Sequence, residues 1–150
     1  MDPRIQKLQT TEACERFAKN AILLGDRGLA DQALRRAVDI RAEAYGASSD
    51  VEKECLKAIY AYEEVLSKKN GKRTRASRTW QMIERHGILA SVERVVNREM
   101  EAAGYTALAE MGLQDFAFEA VILRHPDLFS AEAVAHSRLR LKSWENEPDT

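Results

Sequence analysis

The sequence is poor in the residues that interrupt regular structure, with 7 Gly and 3 Pro among 150 residues. So few breakers leave little room for an all-β fold of tight turns, and the abundance of Ala, Leu, Glu, Arg and Lys favours helices. Cysteine is scarce too. The 2 cysteines, Cys14 and Cys55, fall in helical apolar patterns with no CxxC spacing. That excludes a disulfide framework and predicts two reduced core thiols. No uninterrupted apolar run exceeds the four residues of Ala21 to Leu24, far short of the ~20 that a membrane span needs. Met1-Asp2-Pro3-Arg4 shows no targeting pattern, so the expected location is the cytoplasm, with no membrane partner.

What is present is helical periodicity. Ala13, Phe17, Ala21 and Leu24 recur at helical spacing over residues 11–24, and Gly25-Asp26-Arg27-Gly28 breaks the run. Leu29, Ala33, Ala37, Ile40 and Ala44 mark a second helix over 29–45, giving an antiparallel helical hairpin. The hairpin resembles a single tetratricopeptide unit in Leu24-Gly25, Ala37 and Ala44. It lacks that repeat's aromatics and a second copy, so two packed helices is the plainer reading. Ser49 and Glu52 form a capping box ahead of a third helix with a stripe of Val51, Cys55, Ile59, Tyr62 and Leu66. Further helices are expected over 77–85, 88–98, 105–111, 113–123 and 131–144, with Trp80 and Ile83 facing inward. The predicted fold is all-α, a compact bundle of six to eight short-to-medium helices. It forms one domain over 1–144, followed by a frayed acidic tail over 145–150.

Charge is unevenly placed. Six basic residues and no acid lie between Lys68 and Arg78: Lys68, Lys69, Lys72, Arg73, Arg75 and Arg78. Adding Arg85, Arg94 and Arg98 against Glu84 and Glu93 gives residues 68–98 a charge of +7, while the whole chain stands at −1. The other residues therefore carry −8. A concentrated positive field on a negative body orients a protein toward a polyanion, and arginines grip phosphate bidentately. The basic loop, read as 68–78 between the third and fourth helices, leads into a helix start whose N–H groups favour anions, with Ser77 adding a hydroxyl. The expected function is therefore nucleic-acid binding, DNA before RNA. Its site comprises Lys68, Lys69, Lys72, Arg73, Arg75, Ser77 and Arg78, extended by Arg85, Arg94 and Arg98. The competing use of these cations is pairing with acids of this chain, Glu63 and Glu64 foremost.

Residues 77–98 also have the lengths of a helix-turn-helix around Gly87, which would turn Ser91, Arg94, Asn97 and Arg98 to a groove. Bulky Ile83 and charged Glu93 stand where that motif wants a small and an apolar residue. His125-Pro126-Asp127 resembles the tripeptide with which J-domain cochaperones engage their chaperone partner, over residues 105–139 at most. The helix before it carries Asp115 and Glu119 and no Lys or Arg, where the J-domain helix is basic. The same tripeptide serves as a plain helix stop. His86, His125 and His136 lie in separate elements, and no phosphate-binding loop or nucleophile elbow occurs, so no metal, cofactor or catalytic residue is predicted. The alternative reading is a helical adaptor or regulatory protein whose basic loop docks an acidic partner. Leu34, Val38 and Tyr45 would offer it an apolar surface for that partner or for a homodimer. A helical nuclease built from scattered acids is the remote alternative.

Overall fold

Ser49 opens the helix around which the others gather. Its hydroxyl accepts from the Glu52 N–H at 3.2 Å and meets the Glu52 carboxylate at 3.1 Å. That fixes the start of α4 (Asp50–Asn70), which runs until Gly71 turns into the left-handed region at φ 70°. In the computed structural model, which describes residues 2–98 and 102–145, all regular structure is helical, with no strand among the described residues. In chain order α4 is preceded by α1 (Pro3–Gln6), α2 (Thr11–Leu23) and α3 (Arg27–Tyr45). It is followed by α5 (Ser77–His86), α6 (Ile88–Val96), α7 (Ala102–Glu110), α8 (Phe118–Arg124) and α9 (Ala131–Glu145), with 3-10 turns at Gln114–Phe116 and Pro126–Leu128. No helix among the described residues is long and apolar enough to cross a membrane. The expected acidic tail lies, apart from Glu145, outside the described residues.

α4 packs against α3, α6, α7 and α8 and buries side chains on nearly every side. One core cluster gathers Cys55, Leu56 and Ile59 of α4 with Trp80, Ile83, Val92, Phe118, Val121 and Ile122. A second joins Val38 and Ala61 to Leu108, Leu113 and Phe116, and a third seals α1 and α2 on α3 through Ile5, Ala18, Ala21, Ala30 and Ala33. Both thiols are buried and unpaired, and burial pushes that of Cys55 up to about 12, so neither is poised to react.

Three expectations change. The buried face of α2 is Cys14, Ala18 and Ala21, while Leu24 points to solvent with 86% of its surface exposed. Small residues let two helices approach closely, so here alanine rather than leucine marks the contact. Val38, expected on an outer apolar surface, is fully buried and Leu34 is half-buried, while Tyr45 stays exposed as it stacks on Trp80 with ring centroids 5.8 Å apart. The helix expected over 113–123 is broken at Ala117, which adopts φ −58° and ψ 144°. Residues two apart on a helix face opposite ways. The break lets Phe116 and Phe118 both be buried, one in each of two clusters.

Candidate nucleic-acid interface

Lys68 and Lys69 close α4, where their charge complements the helix dipole, and Ser77 and Arg78 open α5, so the connecting loop proper is 71–76. Two buried carboxylates on α4 hold that loop. Glu63 Oε2 accepts from the Ala76 N–H and from Trp80 Nε1, each at 2.8 Å. Glu64 Oε1 accepts from Arg73 Nη1 and Nη2 at 3.0 Å and from Arg41 Nη1 at 2.7 Å. Arg41 and Arg73 both reach Glu15 of α2 as well, each at 3.0 Å. Ser67 Oγ accepts from the Thr74 N–H at 2.9 Å, and Asn70 donates to Thr74 Oγ1 at 3.1 Å.

These bonds divide the basic cluster. Lys68, Lys72 and Arg73 border a hollow of about 370 Å³ over α2 and α3 that Glu15, Asp31, Glu64 and Glu110 also line. Arg73 is thus held by Glu64 and Glu15 while remaining exposed, and its cationic neighbours share their hollow with four acids. On the other side Arg75, Ser77 and Arg78 meet Arg98, from beyond the end of α6, around a hollow of about 450 Å³. Its other lining residues include Tyr62 and Leu66 of α4, Val95 of α6 and Phe118 of α8, and no acid lines it among the described residues. Lys69, Arg85 and Arg94 are exposed and line neither hollow.

The walls of the second hollow are fixed. No side chain caps α5, and Ala76, its N-cap residue, already gives its own N–H to Glu63. The N–H groups of Arg78 and Thr79 belong to the first turn, which has no intrahelical acceptor, and both residues line the hollow. Arg75 lies over the Trp80 ring at 5.4 Å, a cation–π contact, and lines both this hollow and a smaller one with Tyr45, Tyr60, Glu63 and Trp80. At the far wall Arg140 of α9 donates to the carbonyls of Val96 and Arg98, and it stands 3.6 Å from Glu119. Burial raises the Glu119 carboxyl above its usual range, with Arg140 acting in the opposite sense.

The groove-facing set expected of a helix-turn-helix is not formed as a unit. Asn97 and Arg94 are exposed, but Ser91 is fully buried and donates to the Gly87 carbonyl at 2.7 Å. Nor is the His125 tripeptide free. His125 is paired with Glu54 of α4, and Arg124 reaches the same carboxylate at 2.6 Å. Among the described residues no three His, Cys, Asp or Glu side chains converge as a metal site. Sequence reasoning missed the apolar floor of Tyr62, Leu66, Val95 and Phe118. Tyr62 and Leu66 were visible as one edge of the α4 stripe, but nothing in the sequence places Phe118 beside them. Comparison with known proteins gives no further guide, since no family, no curated protein and no solved structure matches the chain.

Proposed function

We propose that this protein binds nucleic acid, DNA before RNA, through the hollow at the start of α5. One observation carries the reading: Arg75, Arg78 and Arg98 converge on a single hollow without an acid among its described lining residues, in a chain of net charge −1. Guanidinium forks match phosphate oxygens bidentately, and the Ser77 hydroxyl and the free N–H groups of Arg78 and Thr79 add donors. Lys69, Arg85 and Arg94 extend the positive field around the hollow and steer a polyanion toward it. Lys68, Lys72 and Arg73 line the other hollow, where Arg73 pairs with Glu64 and Glu15.

The test is fluorescence-anisotropy binding to duplex DNA, single-stranded DNA and RNA across a salt series. Replacing Arg75, Arg78 and Arg98 together by Ala should reduce the slope of log K against log salt by about 2 on a single strand and slightly more on duplex. Arg73→Ala should leave that slope nearly unchanged. No binding to any polymer at low salt would overturn the reading.

A second reading, a helical adaptor with a protein partner, is favoured by one observation. Ile22, Leu23 and Leu24 expose 61%, 83% and 86% of their surface at the end of α2, beside the hollow that Lys68 and Lys72 border. Binding of that kind depends on a few apolar anchors and responds less to salt. Leu23→Asp should abolish it while leaving the salt-dependent affinity for nucleic acid intact.

A further inference from the structure

We infer, resting on the nucleic-acid reading above, that the hollow takes one unpaired nucleotide of a single strand, its base on the apolar floor and its phosphate at the arginines. The hollow has two chemistries in one space. Arg75, Arg78 and Arg98 line it together with the apolar Tyr62, Leu66, Val95 and Phe118, and Arg98 also donates to the Met82 sulfur at 3.6 Å. A duplex offers a protein its phosphates and groove edges but keeps its base faces stacked, so it has no use for an apolar floor. An unpaired base has a free face to bury, and single-strand binders join such surfaces to cationic grooves.

Size and rigidity agree. At about 450 Å³ the hollow lies within the ~300–1,000 Å³ typical of small-ligand sites. Glu63 holds the backbone of Ala76 in one wall and Arg140 holds the carbonyl of Arg98 in another, so the backbone on these two sides is already ordered before binding. The other large hollow mixes five cations with four carboxylates, so a phosphate there meets repulsion that the acid-free lining of this one lacks.

The experiment compares three labelled probes of equal length at one low salt concentration: a single strand, the same sugar–phosphate strand with every base removed, and a duplex. Burying a base is worth about 1–3 kcal/mol, so the intact strand should bind at least about fivefold more tightly than the baseless one. It should also outbind the duplex. Val95→Trp, which fills the floor, should erase the difference between intact and baseless strands while keeping the salt dependence. The probe comparison decides the matter even if that variant does not fold. Equal affinity for intact and baseless strands, or for single strand and duplex, would overturn the unpaired-nucleotide inference and leave phosphate binding standing. Absence of binding to all three would overturn both.

Discussion

At the scale of single residues the site depends on Glu63. A buried carboxylate is costly unless its oxygens are satisfied, and here one oxygen takes N–H groups from both the loop and the indole. The two bonds set where α5 begins, and so where Arg75 and Arg78 emerge. Trp80 contributes to the core with its ring and to Glu63 with its Nε1. Trp80→Phe keeps most of the first role and deletes the second. It should cost about 1–3 kcal/mol, the penalty for leaving a buried polar group short of a partner. Urea denaturation reads this directly, and a variant as stable as wild type would show that Ala76 alone suffices for Glu63. Arg73 shows how folding chooses between the two uses that the sequence offers a cation, since it pairs with Glu64. The sequence offers Glu64 as one partner for it, but Glu15 joins only because α2 and α4 both pack on α3, whose Arg41 bridges the two acids.

At the scale of elements, the ends of helices are legible and their faces less so. Ser49 and Gly46 mark boundaries through local chemistry that acts in any fold. The expected face of α2 holds at Ala21 and Phe17 but not at Leu24, because hydrophobicity weights leucine whereas the buried contact with α3 is centred on small residues. The break at Ala117 has no local signal, since neither Gly nor Pro stands there, and only the separate burial of Phe116 and Phe118 demands it. Gly112 ends α7 at φ 69°, with the Leu113 N–H returning to the Leu108 carbonyl at 2.9 Å. A Cβ there would also meet the Asp31 side chain at 3.0–3.2 Å, whereas one at Gly46, φ 81°, would meet nothing within 4 Å. Gly46→Ala should therefore cost only left-handed strain, about 1–2 kcal/mol. Gly112→Ala should cost more, because the Asp31 side chain must also move aside. Thermal melts of the two variants side by side test this, and equal losses would show that Asp31 yields freely.

At the scale of the whole molecule, charge is what the sequence announces and folding is what sorts it. The +7 of residues 68–98 is plain from composition, but which arginines meet is decided by the turn from α5 to α6 and by α8, whose Phe118 arrives from far along the chain. The same sorting fixes how stability follows pH. Hydrogen bonds from Arg35 hold the Asp115 carboxyl below its ordinary range, more than offsetting its desolvation. At Glu54 burial pushes upward, and the bonds from His125 and Arg124 outweigh it, leaving that carboxyl low as well. Carboxyls depressed by folding add stability that is fully present above their unfolded-state values, about 4, and is lost as pH falls through the folded ones. Asp115 is half exposed, so salt should weaken its share. Glu119 acts in the opposite sense. Its folded value is raised by burial, so its contribution is present below the unfolded-state value and declines as pH rises through the raised one. Urea midpoints measured from acid to neutral pH should therefore fall off at the acid end through Asp115 and Glu54. Above that fall-off the Glu119 decline should remain, and Glu119→Gln should remove it while leaving the acid limb in place. If the two profiles are parallel from mildly acid to neutral pH, Glu119 is charged throughout and Arg140 compensates it fully. The Arg98 wall of the hollow would then rest on a complete ion pair rather than on carbonyl bonds with a protonatable neighbour.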